Sequence, residues 1–357
     1  MKKDSQLNIP NNLVITDPNG YLSSTPQNSL GSNILFVTTT GDSATGQKGN
    51  VLKPFNIIDA TSYASSGDTI FVLPGTYNIN SSFGLPLLNG VDYYLLNPTI
   101  NIIGSSNYGS IVIYDTINCK IYGKATINNQ NIFSHQGTIS PGADCNILID
   151  GITFLSNNGL IATTSFNNGT GIRKLLIKNC TLISSDFSTG TAQGVGVTTR
   201  YTQVDLINCY VEGQIFIAYR CTPGQPYSFK AVNCNFKAIT GTNGETGSLF
   251  LCNFNSPTDN GRVILQSCNF VSTGPNLVTG GFGGYGINAK LVVSDCKFVN
   301  GTGGWLVSNW NSSGGVLVYN LINNYSTNQG TGTDFPITNQ ITADAGMFIE
   351  PNLDITF

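Results

Sequence analysis

The sequence predicts an all-β fold, a right-handed parallel β-helix (a solenoid) with a short N-terminal cap helix. Two observations carry that prediction: a repeat of one coil's length and the absence of helical periodicity between its copies. Six segments share a short apolar strand, a small polar or Gly residue, a small apolar residue and then, usually, a large apolar one. They are LIDGITF (148–154), LIKNCTL (176–182), LINCYV (206–211), AVNCNF (231–236), LQSCNF (265–270) and VSDCKF (293–298), with VYNLIN (318–323) as a seventh. The small apolar position is Ile152, Cys180, Cys209, Cys234, Cys268, Cys296 and Leu321, at similar but unequal steps along the chain. Intervals of that length with period-2 patterning fit coils of short strands and turns. Parallel strands stack about 4.8 Å apart, so equivalent positions form ladders.

The residue before the marker is Gly151, Asn179, Asn208, Asn233, Ser267, Asp295 and Asn320. Small polar residues and Gly suit a left-handed corner, because Asn and Gly tolerate positive φ and Asx side chains bond nearby backbone. A second ladder is expected through SLFLCNF (248–254) and GWLVSNW (304–310), two coils apart, with Leu277, Val278, Thr279 and Phe282 in the coil between them. That spacing predicts a stack of Phe254, Phe282 and Trp310. QIFIAYR (214–220) aligns one coil earlier, at the same offset as Cys234 to Cys268.

Ahead of the repeats lies KPFNIIDATSYASSGDTIFVLPGTYNI (53–79). Pro54 suits a helix N-terminus; Phe55, Ile57, Ile58, Ala60 and Ala64 can form one apolar stripe, and Gly67 ends the element. Such a helix would cover the open edge of the first coil. With its Gly67-Asp68 turn, its strand Thr69 to Leu73 and its Pro74-Gly75-Thr76-Tyr77 turn, this segment resembles the N-terminal segment of pectin-lyase-like β-helix proteins. The resemblance implies a fold and not an activity. The chain then divides into an extended arm (1–33), a first strand with cap helix and first coil (34–99), the β-helix (100–325) and a C-terminal cap or subunit-contact segment (326–357).

Composition narrows the function classes. Charged residues are only 10% of 357, against roughly a quarter in an ordinary soluble domain, and 16 basic against 19 acidic residues give −3. A nucleic-acid partner is not expected, since that needs a basic stripe. No apolar run reaches the roughly 18 residues of a membrane span, and MKKDSQLNIPNNLVITD has no apolar h-region, so neither membrane insertion nor a cleaved secretory signal is expected. Nine Cys without a CxxC pair suggest neither a disulfide framework nor a zinc site and point to synthesis in a reducing compartment. No cofactor or metal is expected.

The Cys ladder reads as small hydrophobes filling an inner corner in preference to a redox staple or soft-metal row. The stack of Phe254, Phe282 and Trp310 reads as core in preference to a sugar platform. Hydrolysis of a glycosidic bond needs two carboxylates roughly 5 to 9.5 Å apart. Asp205 and Glu212, with Arg200 and Arg220 nearby, are the best catalytic candidates. Yet Lys230 and Lys237 follow them by one coil step, the step from Cys209 to Cys234, which makes cross-strand ion pairs the simpler reading. Asp-Asp, Asn-Thr-Asp and His-Gly motifs of pectin-degrading relatives are absent, and the lone His135 precedes Gln136.

The strands around 214–219, 248–253 and 304–309 are apolar on both faces, which usually means that both are covered. If Ile215, Ile217, Leu249 and Leu251 point inward, Phe216, Phe250, Val278 and Leu306 form an outward subunit-contact stripe. The expected function is therefore that of a structural or adhesive virion protein, resembling viral fibres, tailspikes and capsid-associated β-helices. It would be a homotrimer, would join other virion proteins through residues 1–33 and would meet a surface glycan. The alternatives are a tailspike-type polysaccharide hydrolase or lyase, and a cellular adhesin.

Overall fold

The structure is a computed structural model that describes residues 33–80, 85–103, 118–129, 145–156, 173–184, 203–213, 227–239, 261–273 and 290–299, with short strands elsewhere. It is an all-β right-handed parallel β-helix with, among the described residues, one helix at its N-terminal end. One sheet carries the strands that precede the corner. It runs from Ile34–Val37 and Thr69–Val72 through Arg173–Lys178, Gln203–Ile207, Tyr227–Val232 and Gly261–Gln266 to Lys290–Ser294 and Val318–Ile322. A second carries those that follow it, among them Thr76–Ile79, Thr181–Ser184, Tyr210–Gly213, Asn235–Ile239 and Asn269–Thr273. The long strands Asp92–Ile102, Asn118–Asn129 and Cys145–Ser156 bend through the corner and belong to both. Leu85–Leu87, Ile111–Ile113, Phe133–His135 and Ala162–Thr163 form part of a third layer.

The corner follows from single residues. Asn179, Asn208, Asn233, Ser267 and Asp295 all have φ of 52–55°, and Gly151 has 82°. Left-handed backbone reverses the pleat, so the chain turns into the next sheet without losing its inward face. The marker residues then stack as the spacing requires, from Ile152 through Cys180, Cys209, Cys234 and Cys268 to Cys296, all at most 2% exposed. The ladder also extends upstream of the recognised repeats. Asn97 (φ 55°) and Gly123 (φ 119°) make earlier corners, and Ala125 pairs with Ile152.

Two registers differ from the expectation. Leu321 pairs with Val293, not with the Cys296 rung, because the last coil step is longer than the spacing from Cys296 to Leu321. Phe282 pairs with Val307, so the coil step there is shorter than the one the expected stack requires. Turns of different length follow the two strands of one coil, and an alignment by a single offset cannot capture that. Phe254 and Trp310 lie outside the described residues.

The N-terminal end is closed as predicted, with shifted bounds. The helix spans Ile57–Tyr63, and its N-cap is Asn56, whose Oδ1 accepts from the Ile58 and Asp59 N–H groups. It ends at Ala64, before Gly67. Ile57 and Ala60 are buried, whereas Ile58 is 45% exposed and leaves the expected stripe. Tyr77 of the Pro-Gly-Thr-Tyr turn reaches under the first coil. Its buried hydroxyl lies 2.8 Å from the Leu73 carbonyl and 3.1 Å from that of Val37, and burial pushes its pKa up to about 12. Lys48 anchors the preceding loop on the buried Asp68 at 2.6 Å. The segment 1–33 includes a short antiparallel hairpin, Leu7–Ile9 with Asn12–Val14. At the other end Gln340–Ile341 crosses Val318–Ile322 antiparallel and departs from the solenoid pattern.

Candidate functional site

Asp205 and Glu212 stand on opposite sides of the Asn208–Cys209 corner. Asp205 lies in the strand before it and Glu212 in the strand after it. Val204, Leu206 and Val211 take the inward positions, so both carboxylates belong to outward columns, in two different sheets. The register pairs Asp205 with Lys230 and Glu212 with Lys237. For Glu212 the ion pair forms, with Lys237 Nζ 3.3 Å from Oε1, and the Tyr210 hydroxyl donates to the other oxygen. Burial first, and then that bond to a carboxylate, push the Tyr210 hydroxyl up to about 12. Asp205 is only 4% exposed and lies 3.4 Å from the Gln203 amide nitrogen. Its column neighbour Leu176 is buried as well, as is Ile264 on the far side of Lys230. The arrangement holds one carboxylate in a surface ion pair and the other out of solvent.

Of the proposed contact stripe, Phe216 lies in the strand Ile215–Tyr219, opposite Gly196, and Leu306 in Trp305–Ser308, opposite Gly281. Phe250, Val278, Arg200 and Arg220 lie outside the described residues. His135 ends the strand Phe133–His135 and pairs with Ile113 and Thr163.

The Cys column is a core feature with a specific chemistry. The side chains are buried thiols, not disulfides. Cys209 Sγ lies 3.4 Å from the carbonyls of Ile207 and Ile177, and Cys234 Sγ 3.3 and 3.5 Å from those of Val232 and Leu206. The sulfur also accepts from the neighbouring coil: the N–H groups of Cys209 and Cys268 point at the Sγ atoms of Cys234 and Cys296, each at 3.4 Å. Burial pushes the Cys180 thiol up to about 12, so it stays protonated and unreactive. Among the described residues, no group of three or more His, Cys, Asp or Glu is placed to hold a metal ion.

A further surface pattern, separate from the cysteine column, lies on the second sheet. Thr76, Thr99, Thr126, Thr153 and Thr181 are successive partners in one outward column. Two positions along, Asn78, Asn101 and Asn128 form a parallel column. Asn128 Nδ2 donates to Asn101 Oδ1 at 2.7 Å, and Asn101 Nδ2 to Asn78 Oδ1 at 2.8 Å. Similar amide bonds join Asn208 to Asn179, Asn146 to Asn118 and Asn269 to Asn235. The threonines suit a strand by propensity, but Asn does not. Its regular outward placement gives the rod an uncharged face of hydroxyl and amide groups. The signal in the sequence was the T-x-N triplet at 76–78, 99–101 and 126–128.

No family model matches the chain, and no curated protein matches it in sequence. Among solved structures it is similar to a pectate lyase, Pel9A, at 13% identity and a TM-score of 0.56 over 91% of this chain and 94% of that one. PfbA, a surface adhesin of Streptococcus pneumoniae, also matches, at 13% identity and a TM-score of 0.38 over 76% of this chain and 87% of that one. The first likeness agrees with the pectin-lyase-like β-helix that residues 53–79 resemble, and it concerns the fold alone. The second is too loose to carry an argument.

Proposed function

We propose that this chain is a structural or adhesive β-helix of a virion, a trimeric rod joined to the particle through residues 1–33 that presents its surface to a glycan. The observation that carries the adhesive part is the uncharged face of threonine and asparagine columns held in register by amide bonds. Fixed hydroxyl and amide groups can exchange hydrogen bonds with sugar hydroxyls at little entropic cost, because the ladder has already ordered them. The virion assignment draws on the sequence: the polar arm, the odd cysteine count and the solenoid itself. The trimer draws on the strands apolar on both faces, with Phe216, Phe250, Val278 and Leu306 as the contact stripe.

Light scattering on the purified chain should return three times 38.0 kDa, and Phe250→Asp should lower that mass. A monomer indifferent to Phe250→Asp removes the assembly. Incubation with neutral and acidic polysaccharides should yield neither new reducing ends nor unsaturated products. Turnover that Asp205→Asn or Glu212→Gln abolishes would replace this reading with a hydrolase or lyase.

A further inference from the structure

The outward faces of the two sheets differ in burial. On the second sheet, every outward position among the described residues, from Thr76 to Lys297, keeps some exposure. On the first sheet Leu176, Gln203, Asp205 and Ile264 point outward and lie outside the inner core, yet they are only 4–7% exposed. A sheet does not bury its own outward side chains, so a covering element lies over this face. Near the N-terminal end the cover is visible: Ile34, Phe36 and Phe71 of the same face are buried, with Val51 packed against them. Lys120, Leu148 and Asp150, in the coils between, keep partial exposure, so the cover over Leu176 and its neighbours is a separate one.

Burial there is confined to the side of the sheet where its strands begin. Gln203 and Asp205 are buried but Ile207 is not, Leu176 is buried but Lys178 is not, and Ile264 is buried but Gln266 is not. Leu176, Asp205, Lys230, Ile264, Val292 and Asn320 are partners in turn and make one column. Asn320 pairs with Ile341 in an antiparallel strand, so the chain leaving Ile341 starts at the end of that column and heads toward the strand starts. Residues 342–357 reach about 50 Å when extended. The coil steps from Asn320 back to Leu176 measure about 24 Å.

Charge and apolarity match as well. From Lys174 to Lys290, the outward register positions of this sheet hold Lys174, Lys178, Lys230, Arg262 and Lys290 against a single acid, Asp205. After Lys297 the sequence has no Lys, Arg or His. Residues 342–357 carry Asp344, Glu350 and Asp354 among Met347, Phe348, Ile349, Leu353 and Ile355. An acidic, apolar segment laid on a basic, partly apolar face buries area and pairs charge together.

We propose that residues 342–357 fold back along the first sheet and are the cover of Leu176, Gln203, Asp205 and Ile264. The second sheet, with its threonine and asparagine columns, is then the long face left open to a ligand. The docking is within one chain and holds whatever the oligomeric state.

The test is cross-linking of the full chain with a water-soluble carbodiimide, which joins a lysine to a carboxylate in contact with it, followed by peptide mass spectrometry. Lys48–Asp68 and Lys178–Asp150 are internal controls. Lys174, Lys178 or Lys230 should link to Asp344, Glu350 or Asp354 in material of single-chain mass. Links from these lysines to Glu245 or Asp259 instead would make residues 240–260 the cover, and links found only between chains would make it a second copy; either result overturns the proposal, as does labelling of the controls alone. A second measurement does not depend on cross-linking. Lys174 has Asn146 and Gln203 as its column neighbours, so reversing its charge breaks no buried pair. Lys174→Glu should speed chymotryptic release of the tail about fivefold, whereas Lys297→Glu on the second sheet should leave the rate unchanged. Equal rates in the two variants would refute the docking.

Discussion

The cysteine column offers a test of whether side chains in a solenoid core act only by volume. Cys234 is fully buried, and its sulfur accepts the Cys209 N–H at 3.4 Å. Two costs follow from Cys234→Ala. Removing one heavy atom from a closed core forfeits about 1 kcal/mol of burial and leaves a small void. Removing the acceptor leaves a buried N–H without that bond, at about 1–3 kcal/mol. Together they amount to about 2–4 kcal/mol. Cys234→Val restores the volume but not the acceptor and should recover only the first part. Cys234→Ser keeps an acceptor near the Cys209 N–H and should fall between the parent and Ala. A solenoid can unfold in stages, so denaturant midpoints followed by circular dichroism are the appropriate readout, compared across the three variants. If Val matches the parent in midpoint, the sulfur is a space-filler and the hydrogen-bonding argument fails.

Asn208→Ala should lower stability by about 1–2 kcal/mol, because φ is 55° there and Ala disfavours it. Asn208→Gly should cost less than Ala; thermal melts that rank Gly below Ala would contradict the corner argument. Asp68→Asn should loosen the loop that Lys48 pins, seen as faster limited proteolysis within residues 40–53; unchanged cleavage would show that the ion pair contributes little. Because the folded-state pKa of Tyr77 is raised, its contribution is fully present below pH 10 and is lost as pH climbs to about 12. A rise of that size is worth at most about 2–3 kcal/mol. In an alkaline titration Tyr77→Phe should flatten the fall in melting temperature over that window, and an unchanged slope would count against it.

Much of the coil geometry was legible because a parallel solenoid converts sequence spacing directly into spatial stacking. The corner is the clearest case. A row of Asn, Ser and Asp before a row of Cys states both the left-handed turn and the inward column. The cap helix was equally readable from local signals, although its ends fall at Asn56 and Ala64 and not at Pro54 and Gly67. Misplacing Leu321 and Phe282 has one origin: turns vary in length, and a fixed offset assigns that variation to the wrong strand. Asp205 and Glu212 looked alike on paper. Only their surroundings separate a carboxylate ion-paired to Lys237 from one 4% exposed.

By itself the sequence determined the solenoid, its corner and its cap, because each is set by backbone preference and by a period that survives in one dimension. Tertiary structure alone decided which outward residues share a face and how their rings and charges are aimed. Tyr94 and Tyr122 are a full coil apart with no motif between them, and only the wound chain sets their rings edge to face at 73°. Outward positions are free of packing constraints, so their pattern in the sequence is faint until the coils are wound and stacked.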